Sequence, residues 1–274
     1  MDNQKIGFIG LGAMGEPMVA NLLNAGFQVS SYVNRSREAM DRLKELGLEE
    51  VANAREVAER SDIIMCCVFD ERQNDAVLRG NNGVIGSLAS GSTVLLMSTI
   101  SPGYCQALAS EAAKRGITVL DCPLSGMVQG AIDGTLSLMM GGSVKDIDRC
   151  RATLAPLGTI MHCGDIGAGQ VMKLANNAIA ITTYSLVLEI RDMASTYGMD
   201  INTFMDILNK STGRSFVSSH FPMRKGRLRM AGMPKKDVGT CLELADELGV
   251  TLPVVQQCYE AGIAESAKKT ESAS

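Results

Sequence analysis

The stretch KIGFIGLGAMGEPMVANLLNAG, residues 5–26, constrains the fold more than any other part of the 274-residue chain. An apolar run of strand length ends at Gly10, and a helical pattern begins at Gly15, with Gly12 between them. Three glycines so spaced suit a phosphate-binding turn. The first allows the tight turn, the second lets a pyrophosphate approach the backbone, and the third permits close helix–strand packing. The helix start then offers free N–H groups and a positive dipole end to the phosphates. Pro17 falls in the first helical turn, where proline is tolerated. The plainer alternative is a strand–helix turn that binds nothing. As a binding loop, the stretch assigns Gly10, Leu11, Gly12, Ala13, Met14 and Gly15 to a dinucleotide.

The next apolar run ends YVNRSRE. A carboxylate at this place accepts a hydrogen bond from the ribose 2′-hydroxyl of NAD and repels the 2′-phosphate of NADP. Here Asn34 is neutral and is followed by Arg35, Ser36 and Arg37. A guanidinium binds phosphate bidentately, and a serine hydroxyl adds a donor. The expected cofactor is therefore NADP(H) in preference to NAD(H), with Asn34, Arg35 and Ser36 at its phosphate end. The alternative is a solvated arginine on the first turn of a helix.

Apolar strand-length runs alternate with amphipathic helical stretches to about residue 164. The strand candidates are KIGFIG, QVSSYVN, DIIMCCV, TVLLMST, ITVLDCP, LSLMMGG and TIMHCG. Continuous apolar strands separated by helices imply a parallel sheet covered on both faces, a doubly wound α/β domain. After CGDIGAGQ the pattern becomes helical throughout. A nearly unbroken helix is expected from Gly169 to about Tyr197, apolar around much of its circumference, and so buried centrally or against a partner subunit. Further helices are expected at 201–211, 236–249 and 253–266. The domains read as 1–164, an NADP-binding Rossmann domain; 165–266, a helical substrate and dimerisation domain; and 267–274, a flexible polar tail.

Composition bears on function classes. With 46% hydrophobic and 20% charged residues and a net charge of −4, the chain is a folded globular protein, and its charge gives no support to nucleic-acid binding. No export signal or membrane span opens it, so a cytoplasmic location is expected. Eight cysteines without a C-x-x-C pair, and only two histidines, read as reduced structural thiols, with no metal site expected.

Two stretches carry reactive groups. DCPLSGMVQGAIDGTLSLMMGG follows the fifth apolar run, at the sheet edge where ligands of doubly wound folds bind. Its Ser125 and Gly126 offer a hydroxyl and backbone N–H groups to an anionic or carbonyl substrate. GQVMKLANNA places Lys173, Asn176 and Asn177 on one helical face. An apolar setting favours the neutral amine, which makes a usable proton donor and acceptor. A lysine snorkelling to the surface beside two amides explains the same spacing.

The loop GFIGLGAMGEPM, the strand end MSTISP, the segment DCPLSG…AIDGTLSLMMGG and the helix GQVMKLANN resemble, in order and spacing, the four signatures of the β-hydroxyacid dehydrogenase family. The resemblance covers about residues 5–250. It implies an N-terminal Rossmann domain, an all-helical C-terminal domain and a cleft between them. It further implies that Lys173 is the general acid/base, that Asn177, Ser125 and Gly126 hold the substrate, that Thr99 lies near the nicotinamide, and that Lys236 reaches the site from the helical domain. Val68 stands where family members commonly have leucine, against the cofactor, and Met127 stands where they commonly have glycine. The implied reaction interconverts a short 3-hydroxy acid and its semialdehyde or keto acid. The alternatives are an imine reductase-like enzyme and a non-catalytic NADP-binding interaction protein.

From Leu208 to Lys236 there is no acidic residue, yet Lys210, Arg214, Arg224, Lys225, Arg227, Arg229, Lys235 and Lys236 all fall there. That field would steer a small carboxylate-bearing substrate, or else form a solvated surface or a subunit contact. A homodimer or homotetramer is expected along the long apolar helix, with no nucleic-acid or membrane partner.

Overall fold

The computed structural model describes residues 4–34, 37–79, 83–220 and 233–271. Packing divides the chain into two units, 1–173 and 174–274.

The first unit alternates strands and helices: β1 (Lys5–Ile9), α1 (Gly15–Asn24), β2 (Gln28–Ser31), α2 (Glu38–Lys44), β3 (Glu49–Glu50), α3 (Ala54–Glu59), β4 (Ile63–Cys66), α4 (Glu71–Leu78), α5 (Val84–Ser87), β5 (Thr93–Leu96), α6 (Pro102–Ala113), β6 (Thr118–Asp121), β7 (Leu124–Ser125), α7 (Met127–Asp133), β8 (Leu136–Gly141), α8 (Val144–Leu154) and β9 (Gly158–Gly164). Helix α9 (Ala168–Tyr197) starts in this unit and ends in the next.

Among the described residues the strands form one sheet in the order β3-β2-β1-β4-β5-β6-β8-β7, with β9 beside β8. Alternate residues of β4 face opposite layers: Ile63 and Met65 join Phe8, Met18 and Leu22 on one side. Ile64 and Cys66 join Val57, Leu78 and Leu108 on the other. Strands buried on both faces are why the sequence shows unbroken apolar runs and not alternation.

The sheet is parallel from β3 to β6, but β8 runs antiparallel to both β6 and β7. The parallel sheet expected from the sequence is present from β3 to β6 and between β8 and β9, and the antiparallel pairings of β8 make the whole a mixed sheet. Helix α7 has seven residues and advances about 10 Å, too little to carry the chain back along the roughly 20 Å of a six-residue strand. The chain re-enters the sheet in the reverse sense. The two-residue strands β3 and β7 have no counterpart among the expected strands, because two residues carry no period.

The expected boundary at 164 falls short of the observed one because the start of α9 belongs to the sheet. Asp121, at the end of β6, is fully buried. Its carboxylate accepts hydrogen bonds from the Gly167 N–H at 2.7 Å and the Gln170 N–H at 2.8 Å. Burial raises its carboxyl above the usual carboxylate range, and these amide bonds act against that rise.

The second unit adds α10 (Ile201–Leu208), α11 (Phe216–His220), α12 (Met233–Glu247) and α13 (Pro253–Glu271). Leu174, Ala178 and Cys241 form one small core with Leu244, Leu252 and Val255 around it, and Tyr184, Leu188 and Val217 form another. Asp200 caps α10 by accepting from the Thr203 N–H at 2.8 Å. Helix α13 runs past residue 266 to Glu271. The polar segment ESAKKTE contains no proline or glycine to stop a helix, and polarity alone does not break one. Residues 272–274 lie outside the described residues.

Helix α9 is, among the described residues, the one helix long and apolar enough to cross a membrane by length and composition. Its first turn is instead held in the first unit by Asp121. All eight cysteines are free, and burial raises the thiols of Cys66, Cys105, Cys122 and Cys150 out of the reactive range.

Candidate active site

The carboxyl ends of β1, β4, β5 and β6 lie side by side, with the strand order reversing between β1 and β4. Ligands of open α/β sheets bind at such a switch point. Gly10 follows β1 with φ +107°, and a side chain there would stand 2.2 Å from the Cys67 carbonyl oxygen. At Gly15 a Cβ would lie 1.9 Å from the Gly10 carbonyl oxygen, so only glycine lets α1 start this close to β1. Gly12 faces open space. Leu11 and Met14 are half-buried, and Ala13 is exposed.

Helix α1 has no side-chain cap, whereas α3, α4, α6 and α8 are capped by Asn53, Asp70, Ser101 and Ser143. Uncapped N–H groups beside an open glycine fit a pyrophosphate. Glu16 in the first turn would oppose an anion, but Arg42 bonds both its oxygens at 2.6 and 3.0 Å. That hydrogen-bonded guanidinium holds the Glu16 carboxyl below its usual range.

Asn34 is exposed beyond β2. Arg35 and Ser36 lie outside the described residues, as do Arg224, Lys225, Arg227 and Arg229 of the basic stretch. Arg37 is engaged by Glu50 at 2.8 Å and Asp41 at 3.3 Å.

Val68 and Thr99 are brought together through Ser98. The Ser98 hydroxyl accepts from the Val68 N–H at 3.2 Å and from the buried Asn74 amide at 2.9 Å. On the far side, the Gln170 side chain donates to the Ser98 carbonyl at 2.9 Å and accepts from the Ile100 N–H at 3.1 Å. Thr99 is half-buried between them, and half-buried Lys173 follows Gln170 by three residues on α9.

Ser125 ends β7, opposite Ser137 of β8, and is half-buried; Gly126 is exposed. Met127 has φ 57°, the only positive φ of a non-glycine among the described residues, and its side chain is largely exposed. A left-handed conformation is disfavoured for methionine, so the turn next to the serine–glycine pair is strained.

In the second unit, Asn177 and Lys236 meet at one group. The buried carboxylate of Asp237 accepts from the Asn177 amide at 2.7 Å and pairs with the Lys236 ammonium at 2.8 Å. Asn176 donates in turn to the Asn177 oxygen at 3.1 Å.

Sequence reasoning missed Asp121, Gln170, Asn74 and Asp237. Asp121 did leave a signal, since an acid ending the apolar run TVLD needs a buried partner. Gln170 and Asp237 sit in GQVMK and KKDVG, next to residues that were singled out, with no spacing to mark them.

Residues 5–167 match the family model described as the NAD-binding domain of 6-phosphogluconate dehydrogenase. Residues 167–273 match the one described as NAD-binding of NADP-dependent 3-hydroxyisobutyrate dehydrogenase. The chain belongs to the β-hydroxyacid dehydrogenase family. It is 35% identical to the 2-hydroxy-3-oxopropionate reductase of Escherichia coli, over 93% of this chain and 89% of that one. It is 28% identical to the NAD-dependent L-serine dehydrogenase of Pseudomonas aeruginosa, over 92% and 88%. The solved structure of Mycobacterium tuberculosis 3-hydroxyisobutyrate dehydrogenase with L-serine superposes with a TM-score of 0.84 at 26% identity, covering 96% of this chain and 94% of that one. This dehydrogenase is therefore an oxidoreductase acting on a CH–OH group, with an N-terminal NAD(P)-binding Rossmann domain and a helical C-terminal domain.

Replacing Met127 separates strain from packing. Met127→Gly relieves the left-handed backbone and should be neutral or stabilising by up to about 1 kcal/mol, while β-branched Met127→Val should destabilise by about 1–2 kcal/mol. Thermal unfolding of both variants checks this; equal stability of the two would mean the turn relaxes freely.

Proposed function

We propose that this chain is an NADP(H)-dependent oxidoreductase of the cytoplasm that interconverts a short 3-hydroxy acid and its semialdehyde or keto acid, with Lys173 as the general acid/base. One observation supports the reading: Asn177 and Lys236, both implied by the family resemblance, bind the same buried carboxylate, although Asn177 and Asp237 are 60 residues apart. An amide held by a hydrogen bond and an ammonium held by an ion pair on one carboxylate suit a site that orients a small anion.

When bound, the nicotinamide accepts or supplies the hydride. Gly10 to Gly15 and the start of α1 would hold the pyrophosphate, and Val68 and Thr99 would support the ring end. Ser125, Gly126 and Asn177 hold the substrate. Lys173 takes the hydroxyl proton during oxidation and returns it to the carbonyl oxygen during reduction. With Arg37 committed to Glu50 and Asp41, Arg35 and Ser36 are the groups assigned to the 2′-phosphate.

The proposal extends to a homodimer. Ile179, Leu186, Ile190, Met193 and Tyr197 recur at helical spacing along α9, and all are exposed, Ile179 at 66% and Met193 at 63%. A second copy laid along this stripe would remove it from water.

Three measurements test the proposal. Lys173→Ala should lower kcat by about 10²–10⁴-fold and leave NADPH affinity, read by fluorescence titration, within about twofold; parent-level turnover would remove the acid/base role. Arg35→Ala should weaken NADPH by roughly 10–100-fold, the worth of a charge-assisted pair, and NADH hardly at all; equal losses would move the 2′-phosphate site elsewhere. Light scattering should give at least twice the 29.1 kDa chain mass; a monomer would refute the dimer.

A further inference from the structure

We propose that Gln170 is a positioning residue whose buried side-chain amide holds Thr99 and Lys173 in one fixed register. The inference rests on the roles proposed above for Thr99 and Lys173.

Gln170 is fully buried, and its side chain clasps the two peptide groups on either side of Thr99. The oxygen accepts from the Ile100 N–H at 3.1 Å, and the nitrogen donates to the Ser98 carbonyl at 2.9 Å. Its own backbone N–H is given to Asp121 at 2.8 Å. One residue thus joins the loop after β5, the end of β6 and the first turn of α9. Through Ser98, whose hydroxyl accepts from Val68 and Asn74, the connection reaches the loop after β4.

Lys173 lies three residues further along the same helix and hence on the neighbouring part of the same face. A slip of α9 against the sheet would move Lys173 and leave Thr99 behind; the clasp prevents it. The helix has no slack here, since a Cβ at Gly169 would lie 2.3 Å from the Met139 carbonyl oxygen and 2.6 Å from Asp121.

The chemistry selects this residue type. The clasp needs one donor and one acceptor in a single planar group, at the reach of a glutamine. Glutamate presents acceptors to the Ser98 carbonyl, methionine offers neither group, and asparagine is one methylene short.

The experiment compares Gln170→Met and Gln170→Glu with Val57→Ala, a fully buried residue of the apolar core on α3. Gln170→Met should lower kcat at least tenfold and raise the deuterium isotope effect on kcat with C4-labelled NADPH. The KM for substrate and the Kd for NADPH should stay within threefold. Val57→Ala, at a comparable loss of Tm, should keep kcat within twofold. Equal kcat losses in Gln170→Met and Val57→Ala would overturn the proposal, as would a raised KM with kcat intact.

If Gln170→Met does not fold, Gln170→Glu, which keeps the volume and the acceptor for Ile100, must show the same kcat loss; parent-like turnover in it overturns the clasp. Lys173→Ala assayed alongside separates the two levels. A dead Lys173→Ala with a normal Gln170→Met removes the clasp alone. An active Lys173→Ala removes the reading beneath it as well.

Discussion

A carboxylate sealed from water at the end of β6 governs the geometry of this enzyme. Asp121 accepts the N–H groups of Gly167 and Gln170, and by doing so fixes where the long helix α9 begins. Ionised acceptors make hydrogen bonds roughly twice as strong as neutral ones. The amides have no water to fall back on, and leaving one unpaired costs about 1–3 kcal/mol. The helix start is therefore pinned to the sheet, and Gln170 and Lys173 in its first turns inherit that placement.

The dinucleotide edge follows a different logic. There the sheet supplies a row of strand ends, and the sequence leaves the first helix without a side-chain cap. A helix start without a side-chain cap suits an anion, and Glu16 in its first turn is paired with Arg42 at 2.6 Å. One end thus pairs Asp121 and Gln170 with buried backbone groups, and the other leaves a helix start uncapped.

What could be read from the sequence follows the same division. The glycine loop was legible because the tight approach of α1 to β1 constrains the backbone, and backbone constraints appear as residue types at fixed spacing. Strands such as Ile63–Cys66 were legible because burial on both faces leaves an unbroken apolar run. The reversal at β8 was not, since it follows from the length of α7 and not from any pattern in β8 itself. Nor was the unit boundary at Lys173, which depends on where Asp121 reaches across 46 residues of chain. Gln170 and Asp237 stayed hidden for a related reason: a polar residue on the inner face of a helix looks like any other until its partner is known. Asn177 and Lys236 were found by resemblance, and only the structure shows the carboxylate that joins them.

Helix α9 is tied to the sheet through buried amides of its first turn, and amide hydrogen exchange measures that tie directly. The Gly167 and Gln170 amides should exchange as slowly as those of the core strand β5, opening only with global unfolding. Exchange of both within minutes, while β5 stays protected, would show that the helix start opens by itself and that Asp121 does not anchor it.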